Sequence, residues 1–518
     1  MGQPDSGDSA LAQLDVRLVP AALTGWVVTA AGIVWPVGRV FAWCCAVLAV
    51  GSAFMWWRAE RSRAISAGLM AVGVVGAGFG LAIALRADAV AHHPITAAFG
   101  AAVPVTVTPS ESAMSLGSGR LMFRATLQRL RDDQMSGRVV VFARATELDE
   151  VMVGRPMRFT ARISRPKRHD LTVATLNATG RPTAGQAGAM QRAAYAVRTR
   201  FAAAVRNVLP VEQAAMLPGL VLGDTSAVTA TTSREFKAAG MTHLTAVSGA
   251  NVTIVCGAVL FSARLVGRRF AVLLAAAALA AFVIVVQPTA SVLRAAVMGA
   301  IALAAMLSSR RRQAIPALCA TVLLLMAVAP QLAVDVGFAL SVVATAALVV
   351  IAPVWSRRLV ARGWPKPLAD AVAVAVAAQL VTAPLVAAIS GRFSVVAAVA
   401  NLAATVVIAP ITVLGTAAAV LCPFWPAAAQ LLIRFTGPEV WWVLHVAHWA
   451  AGVPGATVPV PKGVAGVLLV GGVSVLAVVL WRWRWFRVSA RWAAAVAAIC
   501  LLAWFLSGMP EALRSEVT

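Results

Sequence analysis

Ionisable side chains are scarce in this sequence. Only 12% of its 518 residues are Asp, Glu, Lys or Arg, while 60% are hydrophobic. A soluble globular domain carries roughly twice that share of charge, so the composition excludes one and calls for apolar surroundings. Lysine is rarer still: Lys167, Lys237, Lys366 and Lys462 are the only four. The other basic residues are Arg, and the formal net charge is +24. An Ala- and Arg-rich bias of the kind a GC-rich genome produces accounts for the residue type, but not for where the charges sit. The six cysteines, Cys44, Cys45, Cys256, Cys319, Cys422 and Cys500, all lie in apolar stretches without a CxxC pair. They read as small buried hydrophobes, with no disulfide or metal framework. No GxxxxGK[ST], no HExxH and no Ser-His-Asp pattern in a soluble context occurs, so neither an ATP-binding P-loop nor a familiar hydrolytic centre is expected. The expectation is a protein with no catalytic residues, no cofactor and no metal. The polar residues 1–17, with Asp5, Asp8, Asp15 and only Arg17 as a base, do not make a cleavable leader.

What the chain has in abundance is long apolar runs, such as 271–286, 334–354 and 371–389. Runs of roughly 18 or more cross a bilayer core. The expected fold is therefore a polytopic α-helical membrane protein with about 11 to 13 crossings. Spans are placed near 18–36, 37–57, 64–85, 245–263, 270–286, 290–308, 314–329, 335–354, 370–390, 394–410, 411–435, 464–481 and 490–507. In the third, Gly76-xxx-Gly80 lets helix backbones approach closely. Short loops rich in Arg and Lys stay in the cytoplasm. The clusters Arg58/Arg61/Arg63, Arg264/Arg268/Arg269, Arg310–Arg312, Arg357/Arg358/Arg362/Lys366 and Arg482/Arg484/Arg487/Arg491 all fall on one side with these spans. That places the N-terminus inside. The segment 441–451, with Trp441, Trp442, Trp449, His445 and His448, reads as an interfacial helix rather than a metal site.

One polar stretch, 86–212, is too long for a loop and reads as a domain on the outer side. Apolar and polar residues alternate at 121–127 and 158–163, with short runs at 139–141 and 171–176, so a small β-barrel or sandwich is expected. It carries 18 Arg and Lys against nine Asp and Glu. Phe123 and Phe159 face its core by alternation, leaving Phe142 as the candidate base-stacking aromatic. Arg158, Arg162, Arg165, Lys167 and Arg168 could follow a phosphate backbone, or could sit on anionic headgroups.

Two blocks are distinctive: 217–224, LPGLVLGD, followed by 240–252, GMTHLTAVSGANV; and 288–298, PTASVLRAAVM. DVGFALS at 335–341, AQLVTAP at 378–384 and Asn401-Leu402 through Pro410 follow in order. Together they resemble the competence domain of the ComEC family, the membrane channel proteins of natural DNA uptake. The resemblance covers nearly the whole chain. It implies three parts: N-terminal helices (1–85), an extracellular OB-like domain (86–212) and a channel domain (213–518). It implies single-stranded DNA as cargo, and as partners an extracellular DNA receptor, a cytoplasmic ATP-driven translocase and a possible second copy of the chain. Two departures stand out. Asn251 occupies a position where the family often has His, and the sequence has no HxHxDH motif, so a short form without the metallo-β-lactamase-like nuclease domain is expected, with a separate protein degrading one strand.

Ionisable and polar residues inside spans are costly and mark function by default. The pathway candidates are Asp224, His243, Ser248, Asn251, Arg294 and Asp335. Arg294 lies mid-span with no basic neighbour; it either contacts phosphate or forms an ion pair with Asp335 or Asp224. His243 is either part of the path or an interfacial His. Ser248–Asn251 reads as a polar break in an apolar helix, lining the path. Two alternatives to a DNA channel stay open at this point: a secondary transporter of a small anionic solute with Arg294 as counter-charge, and a family member retained for envelope structure.

Overall fold

The computed structural model describes residues 15–35, 37–58, 63–117, 119–148, 151–245, 247–287, 289–307 and 314–480. The expected span 490–507 and the basic clusters at 310–312 and 482–491 lie outside the described residues. The three opening runs form helices α1 (Val19–Val34), α2 (Gly38–Arg58) and α3 (Arg63–Ala91). α3 outlasts its apolar run because nothing breaks it before Pro94. There the His93 ring accepts the Ile95 N–H and starts a short 3-10 turn.

Glycine sets the contact between α2 and α3. A Cβ on Gly73 would lie 2.7 Å from the Ala49 nitrogen, one on Gly80 2.9 Å from that of Ala42, and one on Gly76 2.5 Å from the Cys45 sulfur. Close backbone approach is what drives helix pairing in lipid. Gly73→Leu is therefore expected to destabilise the protein by about 1–3 kcal/mol. A lowered thermal midpoint of the purified protein would report it, with Gly51→Leu, whose side chain meets open space, as the unchanged control.

The polar stretch forms strands β1 (Ala102–Pro109), β2 (Met114–Gly117), β3 (Arg120–Leu130), β4 (Asp133–Arg144), β5 (Met157–Ser164) and β6 (Ala174–Ala184). β1 pairs with both β3 and β5, so the order β1-β5-β6-β4-β3 closes on itself as a small barrel, with β2 added at the edge of β3. Only β4 and β6 run parallel. Alternation fills its core with Val105, Val107, Phe123, Leu127, Val141, Phe159, Ile163 and Leu176, so both phenylalanines expected inside are there. β6 begins at Ala174 rather than 171, because Leu171 takes a left-handed φ of 63° and Asp170 accepts the Thr172 N–H. The end of the polar stretch departs from the strand pattern: α4 (Ala189–Val208) is a 20-residue amphipathic helix. It leads into the apolar α5 (Val211–Leu222).

Beyond these lie α6 (Ala230–Ala238), α7 (Gly249–Ala263), α8 (Arg268–Val286), α9 (Ala290–Leu307), α10 (Ala314–Val328), α11 (Val336–Val350), α12 (Ala352–Val360) and α13 (Lys366–Ser390). Strand β7 (Arg392–Ser394), α14 (Ala397–Leu421), α15 (Pro426–Gly452), β8 (Thr457–Pro459) and α16 (Val464–Leu480) follow. Among the described residues, 7 helical segments are long and apolar enough to cross a membrane, and five shorter apolar helices accompany them. The chain is a helical membrane protein.

Two expected spans, 394–410 and 411–435, are replaced by α14 and α15. α14 runs through Pro410, since apolar surroundings penalise any backbone group that leaves the helix, and the Thr412 hydroxyl donates to the Ile408 carbonyl just there. The break comes instead at 422–425, where the Phe424 and Trp425 N–H groups both turn back to Leu421. The Trp-rich segment 441–451 is the last part of α15 rather than a separate helix.

The chain divides into two compact units. The first comprises Met1–Thr229, His243–Val342 and Val407–Trp441; the second comprises Ala230–Thr242, Val343–Val406 and Trp442–Thr518. In the second unit small residues set the contacts, with Ala347, Ala352, Ala373 and Ala377 packed together. α6 is tied in by Ser394 Oγ donating to the Ala238 carbonyl at 2.7 Å and by a His448–Glu235 contact of 2.9 Å. His445 packs edge-on to Trp449.

Candidate functional site

Four of the distinctive blocks converge within the first unit. α5 carries LPGLVLG and stops at Gly223, whose φ of 71° lets its N–H return to the Gly219 and Pro218 carbonyls. Asp224 follows, and its Oδ1 accepts from the Ser226 N–H and hydroxyl at 3.2 and 2.7 Å. The second block starts α7 at Gly249. Ser248–Asn251 is thus a helix beginning, with the Asn251 N–H turned back to the Ser248 carbonyl at 3.2 Å, and not a break inside a longer helix. Asn251 is buried; its amide donates to the Leu220 carbonyl at 3.1 Å while its Oδ1 accepts from Ser248 Oγ at 3.2 Å. The two blocks are therefore latched together by the residue that stands where His was expected.

Arg294, on the first turns of α9, is 7% exposed. Its Nε donates to Ser341 Oγ of α11 at 2.6 Å, and its Nη1 lies 3.3 Å from Met298 Sδ one turn along. Its Nη2 lies against the first residue of α7: a Cβ on Gly249 would come within 2.6 Å of it. The ion pair expected as an alternative is not formed. Asp224 lies 3.9 Å from Arg198, and Asp335 accepts the Phe338 N–H at 2.8 Å as the cap of α11. Among the described residues no carboxylate is within ion-pair distance of Arg294. His243 is exposed in a 3-10 turn, Thr242–Leu244. Beside the site, a crevice of about 10 Å³ is lined by Leu220, Leu244, Ser248, Asn251, Ile411 and Thr412, room for a single water.

Arg198 is a residue that the sequence did not single out. From α4 its Nη1 donates to the Leu222 carbonyl at 2.9 Å and to those of Val285 and Val286 at 3.2 and 3.4 Å. One guanidinium thus holds the carboxyl ends of α5 and α8, completing acceptors that a helix end leaves open. Burial lowers its pKa, and Asp224 opposes that shift. The available signal was its spacing: Ala194, Arg198, Phe201 and Val205 share one buried helix face.

On the barrel, the register brings some of the expected residues together. Arg162 pairs with Asn177, Asn177 with Phe142, and Phe142 with Met122, making one row across four strands of the outer face. Phe142 is half-buried, with the Arg120 guanidinium 5.8 Å from its ring. Arg158 is exposed on the same strand as Arg162 and lies 3.8 Å from Asp132. Arg165 lies over Phe99 at 5.8 Å, and Lys167 and Arg168 are exposed in the loop beyond, away from the Phe142 row in sequence. Alternation also puts Arg124 and Arg138 on this face. Arg124 reaches Glu111 at 3.1 Å; burial lowers its pKa, but Glu111 and then Asp335 and Asp170 raise it above the usual value. Burial and the nearby Arg124 lower that of Arg138, whose Nη1 has no hydrogen-bond partner.

The family model described as Competence protein matches residues 220–485. No curated protein and no solved structure is matched.

Proposed function

The chain belongs to the Competence protein family, and from that footing we propose that it is a channel passing single-stranded DNA across the bacterial cytoplasmic membrane during natural transformation. The observation that carries this is the setting of Arg294. Burying a cation without a counter-charge costs several kcal/mol, and here the guanidinium also faces the positive end of α7. Both penalties fall when the two part to admit an anion between them, the same combination that holds phosphate at helix N-termini in general. A moving strand supplies one phosphate per nucleotide, so the site would be refilled at each step. Ser248 and Asn251 line the neighbouring crevice, which is closed to a nucleotide at rest; passage would need α5, α7 and α14 to part, with Pro410 as the point where α14 bends.

The barrel supports the same reading. Five strands closed by β1, with a single parallel pair, suit an OB-like fold, and in such folds the face of the second and third strands takes the nucleic acid. Those strands are β3 and β4, the latter carrying Phe142. Basic loops around Arg58, Arg264–Arg269 and Arg357–Lys366 favour an arrangement with the N-terminus in the cytoplasm and the barrel outside. On this reading 1–85 are N-terminal helices, 86–212 the DNA-receiving domain and 213–518 the channel. A DNA receptor, a separate nuclease and an ATP-driven translocase would be its partners.

The narrow crevice favours a second reading, transport of a small anion. Binding of a short labelled single strand to the full-length protein in detergent separates the two. Phe142→Ala combined with Arg162→Glu is expected to weaken it by about ten- to a hundredfold, the loss of one stacked base and a phosphate contact. Binding that these changes leave intact, or that millimolar phosphate abolishes as readily as unlabelled DNA does, would favour the small-anion reading.

A further inference from the structure

We infer that the groove between α3 and α10 is a binding site for one acyl chain of a membrane phospholipid whose phosphate is held by Arg86. α1 packs against both α3 and α10, and a groove of about 290 Å³ remains over it. Its α3 wall recurs at every fourth position, Val74, Gly78, Ala82 and Arg86, a stripe along one helix face. Thr29, on its floor, keeps its hydroxyl bonded to the Gly25 carbonyl, so the groove presents almost no polar group along its length.

Gly78 shows that the groove is not filled by the protein. A Cβ there would meet nothing within 4 Å, whereas those on Gly73, Gly76 and Gly80 of the same helix would strike α2. Gly73, Gly76 and Gly80 bring helices together, and Gly78 leaves room. From Val74 to Arg86 the stripe rises about 18 Å along the helix, close to the roughly 15 Å depth of one leaflet. An empty apolar trench in a bilayer forfeits dispersion contacts that a hydrocarbon chain would restore.

The polar end fixes what kind of chain. Arg86 is exposed at the barrel-proximal end of α3 and spends one N–H on the Ala327 carbonyl at 3.0 Å. A guanidinium has five, so several can still reach a phosphate at headgroup level. An apolar stripe of leaflet length ending on a cation matches a phospholipid and not a free hydrocarbon. This inference is independent of what the channel conducts.

Native mass spectrometry of the full-length protein released from nanodiscs of one phospholipid tests it. Wild type is expected to retain one phospholipid. Gly78→Trp, which fills the groove, is expected to lose it at least about tenfold, while Gly68→Trp, which also enters open space but lies below the groove, keeps it. Arg86→Gln is expected to weaken retention of phospholipid about tenfold and leave that of diacylglycerol unchanged. Retention by Gly78→Trp equal to wild type would overturn the site. Equal loss of phospholipid and diacylglycerol in Arg86→Gln would overturn the assignment of the phosphate to Arg86.

Discussion

Arg294→Ala, present in the membrane at the wild-type level, is expected to leave DNA uptake about 100- to 1,000-fold below wild type, the roughly 3–4 kcal/mol that losing one fixed donor to a passing negative charge costs. Arg294→Lys is expected to recover part of it. An ammonium restores the charge but not the planar fork that reaches Ser341, Met298 and the start of α7 together. A structural role alone predicts a different pattern, in which uptake falls only as far as protein abundance falls. The blot and the uptake count must therefore come from the same cells. Uptake that tracks abundance in both variants would remove Arg294 from the path.

Arg198→Ala is expected to have the second large effect, on stability rather than on uptake per molecule. It leaves the carbonyls of Leu222, Val285 and Val286 without the Arg198 donor and removes the cation beside Asp224, which keeps its Ser226 contacts. Leaving buried acceptors without a donor, together with the loss of a partly exposed ion pair, is expected to cost about 2–4 kcal/mol. A lower thermal midpoint and reduced membrane abundance are the expected readouts, with Arg200→Ala, exposed on the same helix, unchanged. Arg198→Lys is expected to rescue little, because one ammonium cannot reach the ends of both α5 and α8. A midpoint equal to wild type in Arg198→Ala would show that the clamp holds nothing.

Much of this architecture could be read from periodicity. Alternation in MRFTARIS places Met157, Phe159, Ala161 and Ile163 inside and Arg158 and Arg162 outside, because a strand's side chains can only alternate. The apolar runs became helices for the equally simple reason that backbone groups in lipid must bond within their own segment. Arg294 was conspicuous as a charge where charge is costly. Arg198 was not, because an arginine in an amphipathic helix resembles any surface arginine until the carbonyls it reaches, 24 and 87 residues away, are in place. Pro410 misled for a related reason. A proline signals a break, yet whether the helix stops depends on what surrounds it. The Ser248–Asn251 segment is polar within an apolar stretch, which the sequence shows, but its role as the start of α7, facing Arg294, depends on a contact between distant blocks. The partner set and the cargo have no local signature in the chain and rest on the family.

The central claim, that the chain conducts DNA with Arg294 in the path, is tested most directly by uptake of end-labelled duplex DNA. The count is the label that becomes resistant to external nuclease in a deletion strain complemented with wild type, Arg294→Ala or Arg294→Lys, under conditions where the parent is competent. The account predicts protected label with wild type, background with Arg294→Ala at normal membrane abundance, and an intermediate count with Arg294→Lys. Protected label in the uncomplemented deletion strain equal to that of its parent would contradict it.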